Sequence, residues 1–156
     1  VKRAAPARAA LPIDGSLFFK LVRVVNLTAR PFVETLARTH QLSLNEWRVM
    51  VVLASHPGVA ARDLADATGL DKMSVSRAIA ALARRRRLLK QTDPKDARRT
   101  LLWLNATGQR LFKTIGTQAS AREAQLFGPV SPDELAQLDH VVDKLIGALC
   151  ETGARR

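Results

Sequence analysis

Lys72, Ser74, Ser76 and Arg77 fall on one side of a short segment whose other side is apolar. Val75, Ala78, Ile79 and Leu82 repeat at the i, i+3, i+4, i+7 spacing of a buried helix face, so residues 71–87 are predicted to be a one-sided helix. Small hydroxyl donors and cations on an outward face suit the donor and acceptor edges of bases and the oxygens of phosphates. The bland alternative is a solvated helix face. Asp71 reads as the N-cap, and Lys72 as a phosphate contact or a solvated cation.

A second polar cluster follows after a run of arginines at positions 84–87, which reads equally as a phosphate contact and as a solvated helix end. Asp93-Pro94-Lys95-Asp96-Ala97-Arg98-Arg99 joins two short β-like segments around residues 88–92 and 100–104. Asp-Pro starts a turn because proline fixes φ while the carboxylate bonds the backbone further on. Arg98 and Arg99 suit a narrow minor groove, where the negative potential is enhanced. Asp96 lies two residues before Arg98, on the same side of an extended segment, where it can orient the guanidinium; turn chemistry is its bland reading. Lys95 is a candidate phosphate contact. Residues 71–99 hold ten Lys/Arg against three Asp/Glu. A one-sided helix followed by a basic hairpin reads as a winged helix-turn-helix.

The elements that must position these residues are mostly helices. Residues 13–42 form an amphipathic segment carrying Leu17, Phe18, Leu21, Val22 and Val25, with a kink or restart predicted near Arg30 because Pro31 follows it. Ser43-Leu44-Asn45-Glu46 is a capping box that opens a helix with Trp47, Met50, Val51 and Ala54 inward, ended by His56-Pro57-Gly58. A third helix runs from about Ala60 to Thr68 and stops at Gly69; the tight glycine turn leads into the helix at 71–87. Asn105 caps a fifth helix with Leu111, Phe112 and Ile115. Ser131-Pro132-Asp133-Glu134 opens a last one, striped by Leu135, Leu138, Val142, Leu145 and Leu149. The expected organisation is a basic disordered tail at 1–12, dimerisation helices at 13–42 and 105–156, and a winged helix-turn-helix lobe at 43–104. The fold class is mostly α with a small two-stranded β wing.

Composition narrows the function classes. The chain of 156 residues is long enough for one domain with a sizeable core. Its net charge of +11 is uneven: residues 1–42 carry +5, residues 43–104 carry +6 and residues 105–156 carry zero. One end is thereby suited to a polyanion and the other to protein. No run of eighteen apolar residues exists, the first eleven residues lack the apolar core of a secretory signal, and the single Cys150 fits a reducing cytoplasm. His40, His56 and His140 show no metal spacing, and no phosphate-binding glycine loop or nucleophile–base pair appears; no cofactor, metal or enzymatic activity is expected. Cys150 reads as a core or interface residue.

The order of these motifs resembles the MarR family of bacterial transcription regulators over residues 42–112. The resemblance is carried by Leu42-Ser43-Leu44-Asn45-Glu46-Trp47, by Asp63-Leu64-Ala65, by Ser74-Val75-Ser76-Arg77-Ala78 with Leu82, by residues 93–99, and by Leu104-Asn105-Ala106-Thr107-Gly108. It implies a homodimer held by the first and last helices, recognition helices in successive major grooves of a pseudo-palindromic double-stranded operator, and wings in the minor groove. It implies repression, often relieved by a small aromatic or phenolic acid. It also implies an effector pocket between dimer helices and DNA-binding lobe, for which Phe18, His40, Trp47 and Arg48 are the candidates; Trp47 at a core position reads first as packing. The chain departs from the family at three places. Residues 84–87 lack the usual helix-ending glycine, Ala60 stands where the third helix usually has a Ser or Thr cap, and the cysteine lies near the opposite end from that of the peroxide-sensing branch. An architectural protein that coats DNA through charge alone is the competing expectation.

Overall fold

A computed structural model describes residues 16–153 of the chain; the tail expected at 1–12 lies outside them. Helix α1 (Leu17–His40) starts at Ser16, whose hydroxyl accepts from the Phe19 amide. Pro31 neither ends nor restarts it. Proline removes the amide that would bond Leu27 and crowds that carbonyl. The next carbonyl, that of Thr28, accepts from the Arg122 guanidinium, which also lies 5.8 Å over the Phe32 ring. A neighbouring helix thus braces α1 where proline weakens it.

Helix α2 (Leu44–Ser55) opens with both halves of the capping box: the Ser43 amide donates to Glu46 at 2.6 Å, and Ser43 Oγ accepts from the Glu46 amide at 3.2 Å. Strand β1 (Val59–Ala60) precedes α3 (Ala61–Thr68), which has no side-chain cap at Ala60. Gly69, at φ 66°, turns the chain into α4 (Lys72–Arg84). Strands β2 (Leu88–Asp93) and β3 (Asp96–Leu104) form the hairpin, and α5 (Ala106–Phe127) and α6 (Pro132–Gly153) complete the chain.

The two-stranded wing, β2 and β3, is joined by β1 into a sheet of three strands in the order β1-β3-β2. Val59 and Ala60 pair with Leu102 and Leu101, antiparallel. Two residues are too few to show the alternation that betrays a strand. The pairing is seeded by Gly58, at φ 84°, whose amide donates to the Leu102 carbonyl at 2.9 Å and whose missing side chain makes room for the Trp103 indole.

One core joins the elements. Leu36 of α1, Val49, Met50 and Leu53 of α2, Leu64 of α3, Val75, Ala78 and Leu82 of α4, Leu102 of β3 and Ile115 of α5 are all buried. The apolar residues predicted inward on α4 are the ones that enter it. By contrast, the apolar residues of α6 and of the first half of α1 stay exposed, among them Phe18, Val25, Leu138, Leu145 and Leu149.

Candidate nucleic-acid interface

The presentation of α4 begins at its cap. Asp71 Oδ1 accepts from the Ser74 amide at 2.8 Å, and the Ser74 hydroxyl donates to Oδ2 at 2.6 Å. These bonds, the hydroxyl's first and then the amide's, hold the Asp71 carboxyl below its ordinary pKa. Ser74, expected to face a base or phosphate, is therefore half-buried in the cap; its oxygen also accepts from Arg77 at 3.4 Å. The sequence could not separate a groove-facing serine from a capping one, because both stand in the first helical turn.

The outward row of α4 is Met73, Ser76, Arg77, Ala80 and Arg84, all exposed, with Lys72 beside it. Lys72, Ser76 and Ala80 line a groove of about 450 Å³ together with Arg62 of α3 and Lys90 and Thr100 of the hairpin. On the other flank, Ser74, Arg77 and Arg84 share a groove of about 510 Å³ with Ser43 and Asn45 at the start of α2. The helix row thus stands between two open troughs, one bordered by the wing and one by an N-terminal helix end.

The wing tip is a small hydrogen-bonded turn. Asp93 Oδ1 accepts from the Lys95 amide at 2.9 Å, and Asp96 Oδ1 accepts from the Arg98 amide at 3.0 Å. Lys95 and Arg98 are exposed. Asp96 sets the Arg98 backbone; it makes no ion pair with the Arg98 guanidinium among the described residues. Arg99 is turned the other way, as alternation along a strand requires. Its guanidinium lies 3.2 Å from Asp63 of α3 and 3.9 Å from Asp93, so it ties the wing to the lobe and does not extend from the tip as expected.

The arginine run divides the same way. Arg84 is exposed beside the outward row. Arg85 pairs with the buried Glu46 at 3.0 Å. Arg86 takes the left-handed conformation, φ 53°, that glycine would otherwise supply. The Arg86 amide donates to Ala83 and the Arg87 amide to Leu82, both at 2.9 Å, which is the Schellman closure of a helix end. The Arg87 guanidinium donates to the His40 carbonyl at 2.7 Å, and burial lowers its pKa. Two of the four cations are therefore structural.

The four residues expected to line an effector pocket do not converge. Phe18 is exposed near the start of α1, about 33 Å along the helix from His40 at the usual rise. Trp47 is buried, stacked on Phe112 at 5.2 Å and edge-on to Phe32 at 5.8 Å. Arg48 bonds Asn45 at the border of the α2–α4 trough. His40 contributes its carbonyl to Arg87, while its buried Nε2 has no hydrogen-bond partner among the described residues. Helical spacing orders residues on one helix; it does not say which helix ends meet. A different cleft, of about 310 Å³, lies between α1 and α5, walled by Val24, Val25, Phe32, Ala119 and Leu126 with Arg122 among them. The sequence reading missed it because its residues are eighty or more positions apart across the two helices. Cys150, expected in a core or an interface, is exposed on α6. Among the described residues no group of His, Cys, Asp and Glu is placed to hold a metal, and no helix is long and apolar enough to cross a membrane.

Helix, glycine turn, outward-facing helix and basic hairpin on one core define a winged helix-turn-helix protein. A model of the MarR family matches residues 40–99. The homoprotocatechuate degradative operon repressor of Escherichia coli is 23% identical over 76% of this chain and 80% of its own length. The crystal structure of the PcaV transcriptional regulator from Streptomyces coelicolor, in complex with its natural ligand, superposes with a TM-score of 0.72 at 26% identity, covering 94% of this chain and 99% of that one. The structure of Bordetella bronchiseptica BpsR, described for the regulation of its DNA binding by 6-hydroxynicotinic acid, shares the fold at a TM-score of 0.75 and 23% identity, covering 85% and 94%. Over the winged helix-turn-helix lobe the chain is similar to the MarR family of transcriptional regulators.

Proposed function

We propose that this regulator is a homodimeric repressor that binds a pseudo-palindromic double-stranded operator sequence-specifically and releases it on binding a small aromatic acid. The observation that carries the reading is the shared trough: the outward side of α4 and the strands of a basic hairpin border one groove, with Lys72, Ser76, Arg62 and Lys90 on its walls. Ser76 and Arg77 are the base-facing candidates, Lys72 and Lys95 phosphate contacts, and Arg98 the minor-groove arginine. The exposed apolar rows of α1 and α6, Leu17 to Leu27 and Leu135 to Leu149, fit a second copy of the chain. For the effector, a cleft with apolar and phenyl walls offers an aromatic ring its packing surface, and of the two charged groups on its lining, Arg122 and Glu123, the guanidinium is the partner for a carboxylate. The name of the Escherichia coli relative and the regulation of BpsR by 6-hydroxynicotinic acid point to the same chemical class.

The test has two parts. Duplexes selected from a random-sequence pool are measured against scrambled ones at fixed salt; the expected preference is about 10³ or more, and a flat ratio leaves only a charge-driven coat on DNA. Benzoates and hydroxylated aromatic acids are then screened by thermal shift and by operator release. A ligand at one hundred times its Kd stabilises the protein by about 2.7 kcal/mol. If millimolar aromatic acids change neither melting nor DNA binding, control by this class fails while the DNA-binding reading stands.

A further inference from the structure

Met73 is the large apolar side chain in an otherwise polar or small outward row, and it is 66% exposed. It contributes nothing to the core face of α4, which is Val75, Ala78, Ile79 and Leu82. Its neighbours in the row are Ser76 and Arg77, three and four residues on, so all three project from the same side of the first two turns. The end of a recognition helix that enters the groove first is the N-terminal one. At that end, every other exposed position is a hydroxyl, a cation or a cap, and a methionine left in water serves neither solubility nor packing.

We propose that Met73 is a specificity residue, reading the C5-methyl group of a thymine in the major groove; the proposal rests on α4 being the helix that reads DNA. Of the major-groove base edges, thymine alone offers an apolar group, and an apolar side chain is what recognises it. A thioether on three rotatable bonds is polarizable and adapts its shape to such a methyl. Arg77 and Ser76 supply the polar contacts of the same site, and Met73 sets which base pair is accepted beside them. The choice is of thymine over cytosine, and of thymine over uracil, which differs only by the methyl.

The experiment is a cycle between protein and base. The probe is the tightest duplex selected from a random-sequence pool, with each thymine replaced in turn by deoxyuridine. Wild-type protein should lose about fourfold in affinity at one thymine of the half-site, the worth of about 0.8 kcal/mol for one buried methyl at 1.4 kcal/mol per decade. Met73→Ala and Met73→Gln should bind the thymine duplex more weakly by a similar factor and should no longer distinguish it from the deoxyuridine duplex at that position. Met73→Gln keeps the length and helix preference of the side chain, so a loss of discrimination in both variants is a loss of the apolar contact. If no replacement affects the wild type, or if both variants keep the full fourfold discrimination, the proposal is overturned. If the wild type selects no duplex over scrambled DNA, the underlying assignment of α4 fails first, and the two failures are told apart.

Discussion

Glu46 and Arg85, 39 residues apart, are joined at 3.0 Å. Glu46 is 4% exposed, and its other oxygen accepts the Ser43 amide, so one carboxylate fastens the start of α2 to the end of the helix that carries the outward row. Removing one partner of a buried pair leaves a charge without compensation. Arg85 is one-third exposed, and water recovers part of the cost. Arg85→Ala should therefore lower stability by about 2 kcal/mol, short of the full range for buried pairs. Arg84→Ala, one residue earlier and exposed, should change stability by less than about 0.5 kcal/mol. Urea denaturation of both variants checks the contrast. Equal losses would mean that the run acts as one solvated patch.

The same helix end holds a conformational cost that a single substitution relieves. Arg86 sits at φ 53°, and its carbonyl accepts from Asn105 Nδ2 at 2.8 Å. A residue with a Cβ pays a steric cost in the left-handed region, and glycine does not. Arg86→Gly should stabilise the protein by about 0.5 kcal/mol. Gly108 is the opposite case. A Cβ there would stand 2.3 Å from the Arg87 carbonyl oxygen. Gly108→Ala must push α5 off the end of α4, at about 2–3 kcal/mol by the usual cost of overpacking. Thermal melts read both signs.

How far the sequence reaches is visible at these positions. The spacing of Val75, Ala78, Ile79 and Leu82 was enough to orient α4, because a core face repeats with the helix. Both capping boxes were legible at Ser43–Glu46 and Ser131–Glu134, because each is closed by residues three apart. Arg85, Arg87 and Arg99 were not. Their partners Glu46, His40 and Asp63 lie 36 to 47 residues away, and a cation's type says nothing of whether it meets a carboxylate, a carbonyl or a phosphate. Met73 was legible in principle: it is an apolar residue off the apolar spacing. A search for donors and cations passes over it.

Asp71 gives the helix a response to acid. Hydrogen bonds from the Ser74 hydroxyl and amide depress its folded-state pKa below the ordinary carboxylate value. A depressed pKa means that the ionised cap contributes stability that is fully present above the unfolded value and is lost as pH falls through the folded one. Asp71→Asn caps without a charge. The wild type's stability should therefore fall relative to that of Asp71→Asn as pH drops from 5 to about 3, the window around and below the ordinary value. Urea midpoints across that range, with the Asp71 carboxyl followed by NMR, test this. A carboxyl that titrates at its unfolded value would remove the cap bond from the account.

Leu138 and Leu145 stand about two turns apart on the exposed row of α6. Leu138 is 39% and Leu145 49% exposed within one chain, so Leu138→Lys with Leu145→Lys keeps the lysine stems on the same surface and costs little packing inside the chain. It should convert a dimer to a folded monomer and weaken operator binding, since two half-sites are no longer engaged together. Light scattering at micromolar concentration, with circular dichroism to show that the fold is kept, is the check. A wild type that is already monomeric under those conditions rejects the second-copy assignment.

Arg98 and Arg99, adjacent in sequence, should fail in different ways. Arg98 is exposed at the wing tip, with its backbone fixed by Asp96 at 3.0 Å. Arg98→Ala removes one cation and its released counterion, so the slope of log affinity against log salt should drop by about 0.9, with the largest loss on A·T-rich flanks. Arg99 points to Asp63 at 3.2 Å and is only partly screened from water. Arg99→Ala should leave the salt slope nearly unchanged and lower stability by about 0.5–1 kcal/mol. Asp63→Ala should do the same, and the double variant should lose less than the two single changes combined, because they share one contact. Asp96→Ala should resemble a mild Arg98→Ala, since it frees the backbone that aims the guanidinium and leaves the charge in place. Isotherms at several salt concentrations, on a selected duplex and on scrambled DNA, separate these effects. If Arg98→Ala leaves affinity and salt slope as they were while the protein stays folded and dimeric, the hairpin is no DNA-binding wing. If Arg99→Ala shifts the salt slope as much as Arg98→Ala does, its inward ion pairs give way to phosphate when DNA binds.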